Sequence, residues 1–139
     1  MKFLLAQINP IVGDLEGNAK KILYAASKAS SSFADLVLTP ELSLWGYPAN
    51  DLLLKKNLIK NQYQILDQLA LVIRKKYRNL SVTVGIAEII NDSFFPNLYN
   101  SIALLERGEW KIIARKIILP TYEVFDEKDT LDQKKKFPF

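Results

Sequence analysis

The sequence predicts an α/β fold with parallel early strands, and two observations lead to that prediction. Short apolar segments alternate with segments of helical period, in the order β-α-β-loop-α-β-β-β. Strands that are joined through helices usually run parallel within one sheet. The length of 139 residues corresponds to about one domain, and neither an internal repeat nor a linker divides the sequence.

The first half of the chain predicts two strands around one helix. The segment Lys2–Ile8 is nearly continuous in apolar residues, which is typical of a strand buried on both faces. A helix is expected from about Asn18, because apolar residues then recur at helical spacing: Ile22, Ala26, Ala29 and Phe33. Serines at 30–32 end this helix, and Ala34–Thr39 forms a second short strand that Pro40 stops.

The second half of the chain predicts one long helix and three strands. The segment Glu41–Asp51 is irregular because it contains Gly46, Pro48 and Asn50. The helix Asn57–Tyr77 carries an apolar stripe of Leu58, Ile65, Leu66, Leu69, Val72 and Ile73. Strands are expected at Leu80–Ile90, Leu98–Leu105 and Trp110–Ile118. The link at 106–109 contains a glycine, which indicates an antiparallel hairpin between the last two strands.

Two absences from the composition exclude several kinds of chemistry within these residues. The chain contains 0 Cys and 0 His. It therefore offers no disulfide framework and no zinc site of the Cys/His kind. A Ser-His-Asp triad and a Cys-His pair are excluded for the same reason.

The charge pattern favours a protein that binds neither nucleic acid nor membrane. The net charge of +4 is modest for the length. Three basic runs, Lys55–Lys56, Arg74–Lys76 and Lys134–Lys136, are expected to be solvated helix ends and a tail. No segment approaches the roughly 20 apolar residues of a membrane span, and the apolar run after Lys2 is too short for a signal peptide. We therefore expect a cytoplasmic protein.

Two charged residues are candidates for acid–base chemistry at the carboxyl ends of strands, where α/β sheets bind ligands. Glu41 follows the second strand, and Lys116 lies near the end of the last one. A carboxylate and an ammonium in an apolar pocket can act as an acid–base pair. From spacing alone, a surface ion pair explains both residues better. Tyr47 and Tyr122 are weaker candidates as pocket walls, since aromatic residues near prolines usually serve packing.

Several ordered motifs resemble the nitrilase, or carbon-nitrogen hydrolase, superfamily. The segment Pro40–Pro48 followed by Asp51–Leu53 resembles its first catalytic segment, and Arg115–Glu127 resembles its second. The opening residues Ala6–Asn18 and the segment Asn97–Ser101 fit as well. Within the superfamily, the motifs at 47–53 and 124–127 are most similar to the glutamine-hydrolysing domain of glutamine-dependent NAD synthetases. The resemblance runs from the start of the chain to about Glu127.

The resemblance implies an α-β-β-α sandwich, of which this chain is roughly the N-terminal half, and a Glu-Lys-Cys triad. Glu41 is then the general base, and Lys116 stabilises the oxyanion. Tyr122 contacts the glutamine substrate, and Tyr47 helps to wall the pocket. Glutamine forms a thioester and releases ammonia, which a separate domain uses to amidate deamido-NAD with ATP. The glutaminase part needs no cofactor, and ATP and magnesium belong to that separate domain.

The sequence departs from this family in one respect that bears on activity. The nucleophile is a cysteine, and the chain contains 0 Cys. Ser43 and Ser101 are expected to be structural, since no histidine is present to activate them. The resemblance therefore predicts a partial domain at 1–127, a divergent polar tail at 128–139, and no turnover by the chain alone.

The sequence leaves one alternative to catalysis open, a non-catalytic regulatory fragment. Half a sandwich exposes a sheet face and a sheet edge, and both are surfaces that bind partners. The partner would be a full-length synthetase or a second copy of the chain.

Overall fold

The computed structural model describes residues 1–90 and 98–116. These residues form five strands, two α-helices and a short 3₁₀ helix at Asn50–Leu54. The strands and α-helices are β1 Phe3–Leu5, α1 Leu15–Ser31, β2 Leu36–Leu38, α2 Lys56–Lys76, β3 Ser81–Ile89, β4 Leu98–Glu106 and β5 Glu109–Arg115. The predicted tail at 128–139 lies outside the described residues.

The five strands form one sheet in the sequential order β1-β2-β3-β4-β5. The first three strands are parallel, and β4 is antiparallel to both β3 and β5. The prediction of parallel early strands is therefore confirmed, and so is the hairpin, whose turn contains Arg107 and Gly108. Because β5 runs in the same direction as β2 and β3, the carboxyl ends of these three strands share one edge of the sheet.

Helices α1 and α2 pack against each other and against one face of the sheet, which we call the helix-covered face. Aligned residues on this face include Leu4, Val37, Val82, Leu105 and Trp110. The predicted helical periods are confirmed for the most part, since Ile22, Ala26, Leu66 and Ile73 are all buried. Burial of these stripes supplies most of the driving force for folding.

Helix α1 begins at Leu15, three residues earlier than the apolar period indicates. The side chain of Asp14 accepts a hydrogen bond from the backbone N–H of Gly17 and so caps the first turn. The predicted position of Phe33 on the buried stripe is wrong. Phe33 lies beyond the helix with a φ of 57° and is 88% exposed, because the helix ends before the period would bring its side chain to the sheet.

The prediction that the first strand is buried on both faces is also wrong. Strand β1 is only three residues long and lies at the edge of the sheet. Phe3 is 55% and Leu5 is 75% exposed, whereas Leu4 points to the helix-covered face. The strand is apolar on both sides, but only one side is covered among the described residues.

The other face of the sheet, which we call the open face, carries several apolar residues. Phe3, Leu5 and Ile102 project from it, and Ile102 is 40% exposed. The loop after β2 covers part of this face near Gly85. In the described part of the chain, no helix is long and apolar enough to cross a membrane.

Polar side chains complete the edge of β3 where β2 has ended. Ser43 Oγ accepts a hydrogen bond from the N–H of Gly85 at 3.0 Å. Further along, the side chain of Gln62 both accepts from the N–H of Ala87 and donates to its carbonyl, at 3.0 and 2.7 Å. These bonds replace the partner strand, so the backbone of β3 stays paired although it is buried.

Candidate active site

Glu41 and Lys116 meet at the edge where the carboxyl ends of the parallel strands lie. The two residues are 75 positions apart in the sequence, yet Lys116 Nζ donates to Glu41 Oε1 at 2.7 Å. Their side chains are 44% and 27% exposed, respectively. The pair is thus partly shielded from water, which strengthens its attraction relative to a fully solvated pair.

A third residue, Asn100, contacts the same carboxylate from β4. Its Nδ2 donates to Glu41 Oε1 at 2.5 Å, and the residue is 6% exposed. The carbonyl of Asn100 also accepts a hydrogen bond from the backbone N–H of Lys116 at 2.8 Å. Asn100 therefore bonds to both members of the charged pair.

The loop that carries Glu41 is held against β3 by a close backbone approach at Gly85. A Cβ atom at Gly85 would lie 2.3 Å from the N atom of Leu42 and 2.8 Å from the carbonyl oxygen of Pro40. Only glycine permits this approach. Thr39 Oγ1 strengthens the attachment, since it donates to the carbonyl of Thr83 at 2.8 Å.

The position of Lys116 depends on a bulge and an ion pair in β5. The pairing register between β4 and β5 shifts by one residue, with Ile113 as the extra residue. Arg115 is thereby directed to the helix-covered face, where its guanidinium forms a bidentate ion pair with Glu88. The hydrogen bonds that the Arg115 guanidinium donates to Glu88 raise the pKa of Arg115 above its usual value. Alternation along the backbone then places Lys116 on the open face.

A cavity of about 300 Å³ lies at the pair. Its lining combines three charged residues with polar and apolar ones: Thr39, Pro40, Glu41, Gly85, Asn100, Ser101, Ile102, Ala114, Arg115 and Lys116. A volume of this size is at the lower end of the range for small-molecule sites. An apolar wall with a few convergent polar groups is the composition that such sites share.

The other candidate residues lie elsewhere or outside the described residues. Tyr47 is partly buried against the hydrophobic core and is not among the residues that line the cavity. Tyr122 lies outside the described residues. Ser43 Oγ bonds to the backbone of β3, and Ser101 Oγ donates to Glu88 at 2.7 Å, so both hydroxyls have structural partners. Within 1–90 and 98–116, no cluster of acidic residues could hold a metal ion.

Sequence reasoning found the charged pair but missed Asn100 and the role of Glu88. A signal for Asn100 existed, since asparagine is disfavoured in strand interiors and here stands among apolar residues. Glu88 lies near the carboxyl end of β3, close to the edge at which α/β sheets bind ligands. The structure pairs Glu88 with Arg115 on the other face.

The fold and the site define an α/β protein with a glutamate–lysine pair at a cavity on the carboxyl edge of its sheet. The family model for carbon-nitrogen hydrolases matches residues 5–139. The chain therefore belongs to the carbon-nitrogen hydrolase family.

Known proteins of this family resemble the chain closely. Glutamine-dependent NAD(+) synthetase of Thermotoga maritima is 40% identical over 128 residues, which are 92% of this chain and 21% of that protein. The solved structure of the synthetase from Acinetobacter baumannii superposes with a TM-score of 0.83 at 32% identity, over 99% of this chain and 25% of that one. The fold is also that of an amidase from Nesterenkonia sp., with a TM-score of 0.76 at 23% identity.

The chain is much shorter than the relatives that it matches. It spans about a fifth to a quarter of the synthetases, and 49% of the amidase chain. The described residues form a single sheet with two α-helices on one face, and the chain matches about half of an amidase chain that has the same fold.

Proposed function

We propose that this chain contributes the general base and the oxyanion-stabilising lysine of a glutamine-hydrolysing site. The observation that carries the proposal is the contact between Glu41 and Lys116, which lie 75 residues apart in the sequence. Membership of the carbon-nitrogen hydrolase family and 40% identity to a glutamine-dependent synthetase support it. In a complete enzyme, the released ammonia would serve the amidation of deamido-NAD.

In the proposed chemistry, Glu41 and Lys116 have different roles. Glu41 takes the proton from the attacking thiol, so that a thiolate adds to the amide carbon of glutamine. Lys116 places its ammonium beside the oxygen that becomes negative in the tetrahedral intermediate. Because the chain contains 0 Cys, the nucleophile must come from outside these residues. Tyr122 and Tyr47 are proposed to contact the glutamine and to wall the pocket.

L-glutamine is expected to bind weakly to the chain, because the cavity offers it an ammonium, a carboxylate and an amide at once. Saturation-transfer NMR at low protein concentration measures this binding without turnover. The Lys116→Met and Glu41→Gln variants should each weaken the L-glutamine signal, and glycine serves as a control ligand. In an enzymatic ammonia assay, the same samples should release no more ammonia than a blank without protein.

Two results would contradict this proposal. The first is an L-glutamine signal that is absent, or equal to that of glycine, in the unaltered chain. The second is release of ammonia that depends on Glu41 and Lys116, which would show that no external nucleophile is needed.

A second proposed function is non-catalytic pairing with a longer relative. The exposed apolar residues on the open face favour it, above all Leu5 at 75% and Phe3 at 55% exposure. The proposed occupant is the second half of the amidase fold, as present in a full-length synthetase, because this chain spans only 49% of an amidase that shares the fold. Size-exclusion chromatography of the chain with the Thermotoga maritima synthetase should then show co-elution. Separate elution would refute the pairing.

A further inference from the structure

Asn100 is the residue through which the two charged segments of the site are joined. Its side chain donates to Glu41, which follows β2, and its backbone carbonyl accepts from the N–H of Lys116, which follows β5. These two segments are not neighbours in the sheet, since β3 and β4 lie between β2 and β5. Asn100 thus connects two segments that do not pair with each other through their backbones.

The burial of Asn100 argues against an incidental contact. The residue is 6% exposed, and its neighbours on the same face of β4 are Leu98 and Ile102. A buried amide is unfavourable unless it is hydrogen-bonded, and asparagine is disfavoured within strands. An apolar residue would suit this strand position better than asparagine does. The hydrogen bond to Glu41 therefore explains why an amide stands at position 100.

Both hydrogen bonds to Glu41 fall on the same oxygen. Asn100 Nδ2 and Lys116 Nζ each donate to Oε1, at 2.5 and 2.7 Å. Oε2 accepts no hydrogen bond from the described part of the chain. As far as the described residues are concerned, Oε1 is engaged twice, and Oε2 is the oxygen with a lone pair available for a proton.

We propose that Asn100 is a positioning residue that fixes the Glu41 carboxylate beside Lys116 and so leaves Oε2 as the proton acceptor. This rests on the proposed function, in which Glu41 is the base. A neutral amide suits the task because it orients the carboxylate without adding charge to the site. A carboxylate in the same place would repel Glu41 and compete for the ammonium of Lys116.

Zero-length cross-linking tests the positioning in the chain as it is, at low micromolar concentration. A carbodiimide activates the carboxylate of Glu41, and the amine of Lys116 displaces the urea to form an amide, with net loss of one water. Mass spectrometry of the digested protein measures the yield. The ion pair between Lys111 and Glu106, at 3.2 Å on the same hairpin, provides the internal control.

The Asn100→Leu substitution should lower the Glu41–Lys116 yield about fivefold relative to the Glu106–Lys111 yield, because an untethered pair reacts at a lower effective concentration. The Asn100→Asp substitution should divert the reaction and create a cross-link between residue 100 and Lys116. A general loss of structure would lower both yields together, so their ratio reports on position alone.

The proposal is overturned if the ratio of the two yields stays within about twofold in Asn100→Leu and no cross-link to residue 100 forms in Asn100→Asp. If Asn100→Leu does not give a thermal unfolding transition, the Asn100→Asp result decides. Cross-linking does not require glutamine to bind. A failed glutamine titration therefore counts against the proposed function and leaves the geometric result intact.

Discussion

At the scale of single residues, the sequence predicts charges better than it predicts buried amides. Glu41 and Lys116 could be selected in advance because each ends a strand. Gln62 and Asn18 could not, because their partners are distant in sequence and are backbone atoms. Asn18 binds the backbone of Ile11 and Leu44, and both contacts depend on the folded loops.

Gln62 illustrates what such an amide contributes to stability. It is fully buried, and it accepts from Trp45 Nε1 at 2.5 Å besides its two bonds to Ala87. Gln62→Leu leaves several buried polar groups unpaired, so the free energy of unfolding should fall by about 3 kcal/mol. Urea denaturation followed by circular dichroism measures the change.

The same helix provides a matched control for this prediction. Gln64 is exposed, and Gln64→Leu should alter the free energy of unfolding by less than about 0.5 kcal/mol. Equal effects of the two substitutions would show that the buried amide contributes nothing specific.

At the scale of elements, periodicity predicted the helices and the hairpin, but it did not predict which faces are covered. The apolar segment at the start of the chain has the pattern of a central strand, yet β1 lies at an edge. The bulge at Ile113 had no sequence signal either, although it determines the sides on which Arg115 and Lys116 lie. Burial depends on neighbouring elements, and a local pattern contains no information about those.

The contact between β3 and the Glu41 loop yields a prediction at this scale. In Gly85→Ala, the new Cβ meets backbone atoms of Leu42 and Pro40, which cannot move as a side-chain tip can. We expect a loss of about 1–3 kcal/mol in stability, together with a lower ratio of Glu41–Lys116 to Glu106–Lys111 cross-links.

A destabilising substitution elsewhere on β3 separates the loss of stability from the loss of the Glu41–Lys116 contact. Ile89→Val removes one methyl group at the last residue of β3, beyond Gly85 along the strand, and should cost about 1 kcal/mol. Its cross-link ratio should match that of the unaltered chain. If Gly85→Ala also leaves the ratio unchanged, the close approach does not position Glu41.

At the scale of the whole molecule, the described residues form one sheet whose helices cover one face, while the open face exposes apolar side chains. Apolar surface on an antiparallel or mixed sheet is stable in water only when something packs on it. The amidase chain that shares the fold is about twice as long as the part this chain matches, and this difference supports the proposal that a second half of the fold covers the open face. The sequence predicted this exposure from the family pattern, and periodicity alone could not have done so.

If the chain pairs through the open face, a charged substitution on that face should prevent pairing, and one elsewhere should not. Leu5→Lys and Ile102→Lys each place a charge on the open face, and each should abolish co-elution with the Thermotoga maritima synthetase because a buried unpaired charge is costly. Leu71 is 59% exposed but lies on α2, away from that face. Leu71→Lys should therefore co-elute like the unaltered chain. If all three variants behave alike on size-exclusion chromatography, the open face is not the surface through which the chain pairs.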